Sequence, residues 1–160
     1  MIDQVEAPEE LKIERILAAP PARVFAAWTK PDLLKRWFAP EPWQVRRAEM
    51  DPRTGGTSLV VMCDDQGNEF PSRGVYLDVV ENERIVFTDA FTEAWVPSAK
   101  PFATIIVTFE DVGGRTRYIA RARHWTKADR DMHASMGFEA GWNQCADQLE
   151  ALLATEGGAA

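Results

Sequence analysis

The chain has 160 residues, 46% of them hydrophobic and 27% charged, which fits one globular domain with a core of its own. A net charge of −7 argues against a nucleic-acid surface, since a phosphate backbone requires a positive patch. No apolar run reaches membrane-spanning length and no cationic-hydrophobic leader opens the chain, so neither membrane insertion nor export is expected and a cytoplasmic location is.

In chain order, residues 1–10 read as a flexible acidic N-terminus. Leu11 to Leu17 has the pattern of a first strand, stopped by Pro20-Pro21, which also suit the opening of a helix. Ala22 to Trp28 then puts Val24, Phe25 and Trp28 on one side. A second short helix starts at Pro31 and runs to about Trp37, bringing Leu33, Leu34, Trp37 and Phe38 inward. Pro40 and Pro42 break it.

From there to Thr126 the pattern is that of strands. Trp43–Met50, Thr57–Cys63, Phe70–Val80, Arg84–Phe91, Phe102–Glu110 and Thr116–Trp125 are separated by short turns, which makes successive strands antiparallel neighbours. A longer loop, Thr92 to Pro101, carries Trp95. In the last strand Thr116, Tyr118, Ala120, Ala122 and His124 share one parity, and Arg117, Ile119, Arg121, Arg123 and Trp125 the other. Three arginines mark the second face as the solvated one. The first looks inward, and its alanines leave room for a bulky neighbour.

The chain closes with Lys127 to Thr155, read as one helix of roughly 40 Å at 1.5 Å per residue. Phe138, Trp142, Cys145, Leu149 and Leu152 form its apolar stripe. Gly137 and Gly141 each cost about 1 kcal/mol against alanine there, which implies close approach of the helix backbone to a neighbour. Residues 156–160 read as a disordered tail, leaving residues 11–155 as the domain. Strand, two helices, five or six strands and a long helix define an α+β order, best met by a curved antiparallel sheet wrapped around the last helix.

His133-x-x-Met136-Gly137-Phe138-x-x-Gly141-Trp142, followed by Asp147-Gln148-Leu149-x-x-Leu152, resembles the closing helix of proteins related to the C-terminal domain of the Hsp90 ATPase activator, in the START-like (Bet v 1-like) superfamily of helix-grip folds. Ala19-Pro20-x-x-x-Val24-Phe25-x-x-Trp28-Thr29, Trp37-Phe38, Asp51-x-Arg53-x-Gly55-Gly56 and Gly74-Val75-Tyr76 resemble the same family in the same order, over residues 11–153. The resemblance implies a cavity between sheet and long helix, and a homodimer. The full activator also has a separate N-terminal domain for which 160 residues leave no room, so an interaction with Hsp90 is not expected.

The function expected is binding of a small, largely hydrophobic molecule in that cavity. The expected contacts are Trp37, Phe38, Tyr76, Trp95, Tyr118, His124, Met136 and Ala140. Aromatic and methionine side chains would supply area, and His124 or Tyr118 would fix a polar group. Two alternatives stand beside it: a cyclase, dehydrase or isomerase using His124 as acid or base, and a protein-interaction module of co-chaperone type.

No cofactor or metal is expected. Cys63 and Cys145 fit no zinc or redox spacing. His133 lies about 140° from Phe138 at 100° per residue, on the flank or outer side of the helix, and Gly137 stands where a second ligand would be. Arg73 and Asp89 sit within apolar strands, with the outer face the simpler place for both. Neither a Gly-x-Ser-x-Gly elbow nor a pair of catalytic carboxylates is present.

Overall fold

The computed structural model describes residues 9–155; the expectations for 1–8 and 156–160 lie outside the described residues. The elements are β1 (Glu10–Leu17), α1 (Pro21–Thr29), α2 (Pro31–Leu34), β2 (Gln44–Met50), β3 (Thr57–Cys63), β4 (Glu69–Val80), β5 (Arg84–Thr88), β6 (Phe91–Glu93), β7 (Val96–Pro97), β8 (Ala103–Val112), β9 (Arg115–His124), α3 (Lys127–Ser135) and α4 (Phe138–Leu153). Seven strands form one antiparallel sheet in the order β1-β9-β8-β5-β4-β3-β2. The helices cover its inner face, giving an α+β helix-grip fold.

Pro21 and Pro31 each occupy the first turn of their helix, where the missing N–H removes no bond. α2 is shorter than the expected helix to Trp37, and the chain continues as turns. The expected strand Arg84–Phe91 ends at Thr88, and the loop after it holds the β6–β7 hairpin. Residues 9 and 10 are part of the fold rather than a flexible lead. Glu10 pairs with Arg123, and the His124 N–H donates to the Glu9 carbonyl at 3.1 Å.

The alternation of β9 governs the core. Thr116, Tyr118, Ala120, Ala122 and His124 are all buried, on the side of the main hydrophobic cluster. The opposite parity is not uniformly solvated, because Arg121 is only 6% exposed. Its guanidinium is held by the Glu10 carboxylate at 2.7 Å, a cross-strand partner that alternation within β9 alone does not reveal.

The final helix is two helices rather than one rod. Gly137 sits at φ +93° between α3 and α4, a left-handed conformation that glycine adopts without the steric cost a side chain would bring. Gly141 also departs from expectation, since a Cβ added there would meet nothing within 4 Å; no close approach explains it. The apolar stripe itself holds, with Phe138, Cys145, Leu149 and Leu152 buried. Burial pushes the Cys145 thiol up to about 12. Arg15 on β1 fastens α4 through Asp147 at 2.6 Å and Glu150 at 3.3 Å, and the Gln148 amide donates to the carbonyls of Trp37 and Ala39.

Candidate functional site

Between the inner face of the sheet and the helices lies a cavity of about 230 Å³. Alternation on each strand selects its floor: Ser58, Val60 and Met62 of β3, Ser72, Gly74 and Tyr76 of β4, Phe87 of β5, and Ala103 and Ile105 of β8. Trp28 of α1, Phe38 after α2, His133 of α3 and Trp142 of α4 complete the walls.

Trp28 is the hub of the aromatic wall. Its ring lies 5.2 Å from Phe38, 5.9 Å from Phe87 and 6.2 Å from Trp142, centroid to centroid, within the range of favourable aromatic pairs. Behind it, the indole N–H donates to the Tyr118 hydroxyl at 3.2 Å.

The other end of the cavity is built around Phe102, whose ring packs 4.9 Å from His133 and whose backbone N–H donates to Asp89 at 2.8 Å. Asp89 Oδ1 also accepts from Ala103 N–H at 3.1 Å, so this carboxylate fixes the start of β8 while bordering the cavity. That places Asp89 at the cavity rather than on the outer face. Arg73 borders the cavity as well. It pairs with Leu59, between the inward Ser72 and Gly74, and alternation sends its side chain to the outer face. There it borders a hollow with Glu49, Thr57 and Glu93.

His133 departs most from the expected arrangement. Counting helical phase back from Phe138 fails because Gly137 interrupts the helix, and the ring turns inward onto His124, Phe102 and Phe138. His133 Nδ1 lies 2.8 Å from His124 Nε2, and His124 Nδ1 lies 2.7 Å from the Glu9 carbonyl oxygen. Both ring nitrogens of His124 are thus occupied, and its ring does not border the cavity.

Burial first, and the neighbouring His124 second, push the His133 imidazole down to about 4. An unfolded histidine titrates near 6.5, so between those values the unfolded chain binds more protons than the folded one. The contribution is present in full above about pH 6.5 and is lost as pH falls toward 4, by about 2 kcal/mol for a ring partly open to solvent. Urea unfolding of wild type and His133→Phe at pH 7 and pH 4.5 measures this: the wild type should lose more stability than the variant. Equal losses would contradict it.

Of the expected contacts, Phe38 and Tyr76 border the cavity. Trp37 is 1% exposed, donates to the Ala27 carbonyl, and supports Trp28 from outside the lining. Tyr118 lies behind Trp28 and His124 behind His133. Trp95 is 88% exposed in the turn between β6 and β7, and Met136 is 70% exposed at the end of α3. Ala140, two residues past Phe138, is exposed on the far side of α4. Trp28, Phe87, Phe102, His133 and Trp142 were not among the expected contacts. Inward parity opposite Tyr76 would have found Phe87, and the helical stripes already contained Trp28 and Trp142. Among the described residues no group of three or more His, Cys, Asp or Glu side chains is placed to hold a metal ion, and no helix is long and apolar enough to cross a membrane.

An antiparallel sheet gripping a C-terminal helix over an aromatic-walled cavity defines a helix-grip protein of the START-like superfamily. Residues 18–154 match the family described as activator of Hsp90 ATPase homolog 1-like protein, and the chain belongs to it. A crystal structure of a Nitrosomonas europaea protein is 37% identical with a TM-score of 0.89, covering 93% of this chain and 96% of that one. A Mycobacterium smegmatis protein is 25% identical with a TM-score of 0.76, covering 93% of each chain. The solution structure of an AHSA1-like protein from Aeromonas hydrophila has the same fold at 21% identity and a TM-score of 0.71, covering 90% of this chain and 91% of that one. Among curated proteins nothing matches.

Proposed function

We propose that this protein binds a small, largely apolar molecule in the cavity between the sheet and the C-terminal helices. The observation that supports this is the wall itself, in which Trp28, Phe38, Phe87 and Trp142 surround a void of about 230 Å³. An apolar cavity of roughly 150 Å³ already takes benzene, so a bicyclic guest is within reach. Cys63 and Cys145 are free, buried thiols, which suits a reducing cytoplasm.

Naphthalene is the simplest probe. Saturation-transfer NMR, with the emission of Trp28 and Trp142 as a second readout, should show saturable binding of one molecule per chain. Ala103→Phe, which projects a ring into the cavity, should weaken it at least about tenfold, the order of several lost methylene contacts. Non-saturable binding, or binding indifferent to Ala103→Phe, would refute the proposal.

A further inference from the structure

Resting on that reading, we infer that the guest is uncharged, that it presents an O–H or N–H donor to His133, and that carboxylates and other anions are excluded. The hydrogen-bond chain starts at a backbone carbonyl. The Glu9 oxygen can only accept, so His124 Nδ1, 2.7 Å away, must carry a hydrogen. In the neutral ring His124 Nε2 is then bare, and His133 Nδ1, 2.8 Å from it, must donate. That fixes the second ring as well: neutral His133 has its hydrogen on Nδ1 and a lone pair on Nε2. No partner among the described residues takes that lone pair, and the ring borders the cavity. His133 is half-buried, and a guest that displaces water from the cavity would either give this lone pair a donor or leave it unpaired.

The charges around the cavity point the same way. Asp89, whose carboxylate accepts from the N–H groups of Phe102 and Ala103 beside the His133 ring, adds an acidic residue to the cavity border. Arg73 is the one cation among the described residues bordering the cavity, and its register with Leu59 directs the guanidinium to the outer face. The Thr88 hydroxyl is engaged by the Ala103 carbonyl, the Thr104 hydroxyl and the Ala90 N–H. An anion in this space would meet a lone pair and a carboxylate with no cation to compensate its lost hydration. The depressed imidazole, at about 4, keeps His133 an acceptor at neutral pH.

Three probes of matched size separate the possibilities at pH 7: naphthalene, 2-naphthol and 2-naphthoate. The expected order is 2-naphthol tightest, by about fivefold over naphthalene for one added hydrogen bond, and 2-naphthoate weaker than 2-naphthol by at least about tenfold. In His133→Phe, which keeps a ring against Phe102 and Phe138, the advantage of 2-naphthol over naphthalene should disappear. The wild-type comparison needs no variant to fold. Naphthoate binding as tightly as naphthol, or a naphthol advantage that survives in His133→Phe, would overturn the inference while leaving an apolar-guest cavity intact. Failure of naphthalene and 2-naphthol alike would instead overturn the proposed function on which it rests.

Discussion

Trp28→Ala is expected to destabilise the protein by about 4–5 kcal/mol, lowering the thermal midpoint by on the order of 10 °C. Removing a buried tryptophan side chain costs about 3–5 kcal/mol in lost burial and residual cavity, and Trp28 is 5% exposed. The rings of Trp37, Phe38, Phe87 and Trp142 all pack against it. Its loss also strips the Tyr118 hydroxyl of its indole donor, and Tyr118 is 1% exposed, out of reach of water. Trp28→Phe isolates that second effect, since the benzene ring retains much of the packing while the N–H is gone. A loss of about 2 kcal/mol is expected for it. Tyr118→Phe should be milder in the Trp28→Phe background than in wild type, because the hydroxyl then has no partner to lose. Urea denaturation followed by far-ultraviolet circular dichroism measures the wild type and the four variants. A Trp28→Ala cost below about 1 kcal/mol would show that the aromatic wall is not the packing hub described.

Trp28 also illustrates what the sequence made legible. Period two and period 3.6 were readable wherever one face is greasy and the other is not. β3 begins and ends at the expected residues, the inward row of β9 is buried as its parity implied, and the stripe from Phe138 to Leu152 meets the core. The resemblance then supplied the helix-grip arrangement. The errors fall where a local pattern depends on something outside its own element. A glycine costs a helix only about 1 kcal/mol, so the sequence pattern carries the helix through Gly137 and implies close packing there. Gly137 is the point where the first helix ends, and the helical phase that puts His133 on the outer side does not carry across it. Strand parity alone sends Arg121 to solvent, because its partner, Glu10, is far away in sequence and adjacent only in the sheet. Asp89 ties the end of β5 to the start of β8, and only the fold brings those segments together. Trp95, an aromatic in a loop, stands exposed between β6 and β7, away from the cavity.

Glu10→Ala is expected to cost about 3–5 kcal/mol, the range for removing one partner of a buried ion pair, although it changes a residue at the very start of β1. The Glu10 side chain is 6% exposed and Arg121 is 7% exposed, joined at 2.7 Å. The second carboxylate oxygen holds Arg123 at 2.7 Å. Arg121 Nε is buried without a partner, so without Glu10 this guanidinium would keep its charge and lose its carboxylate. The double variant Glu10→Met, Arg121→Met should recover most of the loss, because replacing both members of a buried pair by apolar side chains is often close to neutral. A nearly silent Glu10→Ala would show that the pair is solvated in solution and contradict this expectation. The consequence reaches the cavity through one residue. Glu9 precedes Glu10, and its carbonyl receives both the His124 backbone N–H and the His124 ring. A β1 that frays at Glu10 releases that carbonyl, and with it the constraint that places the hydrogen on Nδ1 of His124 and then of His133. Nitrogen-15 shifts of the two imidazoles should therefore report a single tautomer in the wild type and in the double variant, and a mixture in Glu10→Ala.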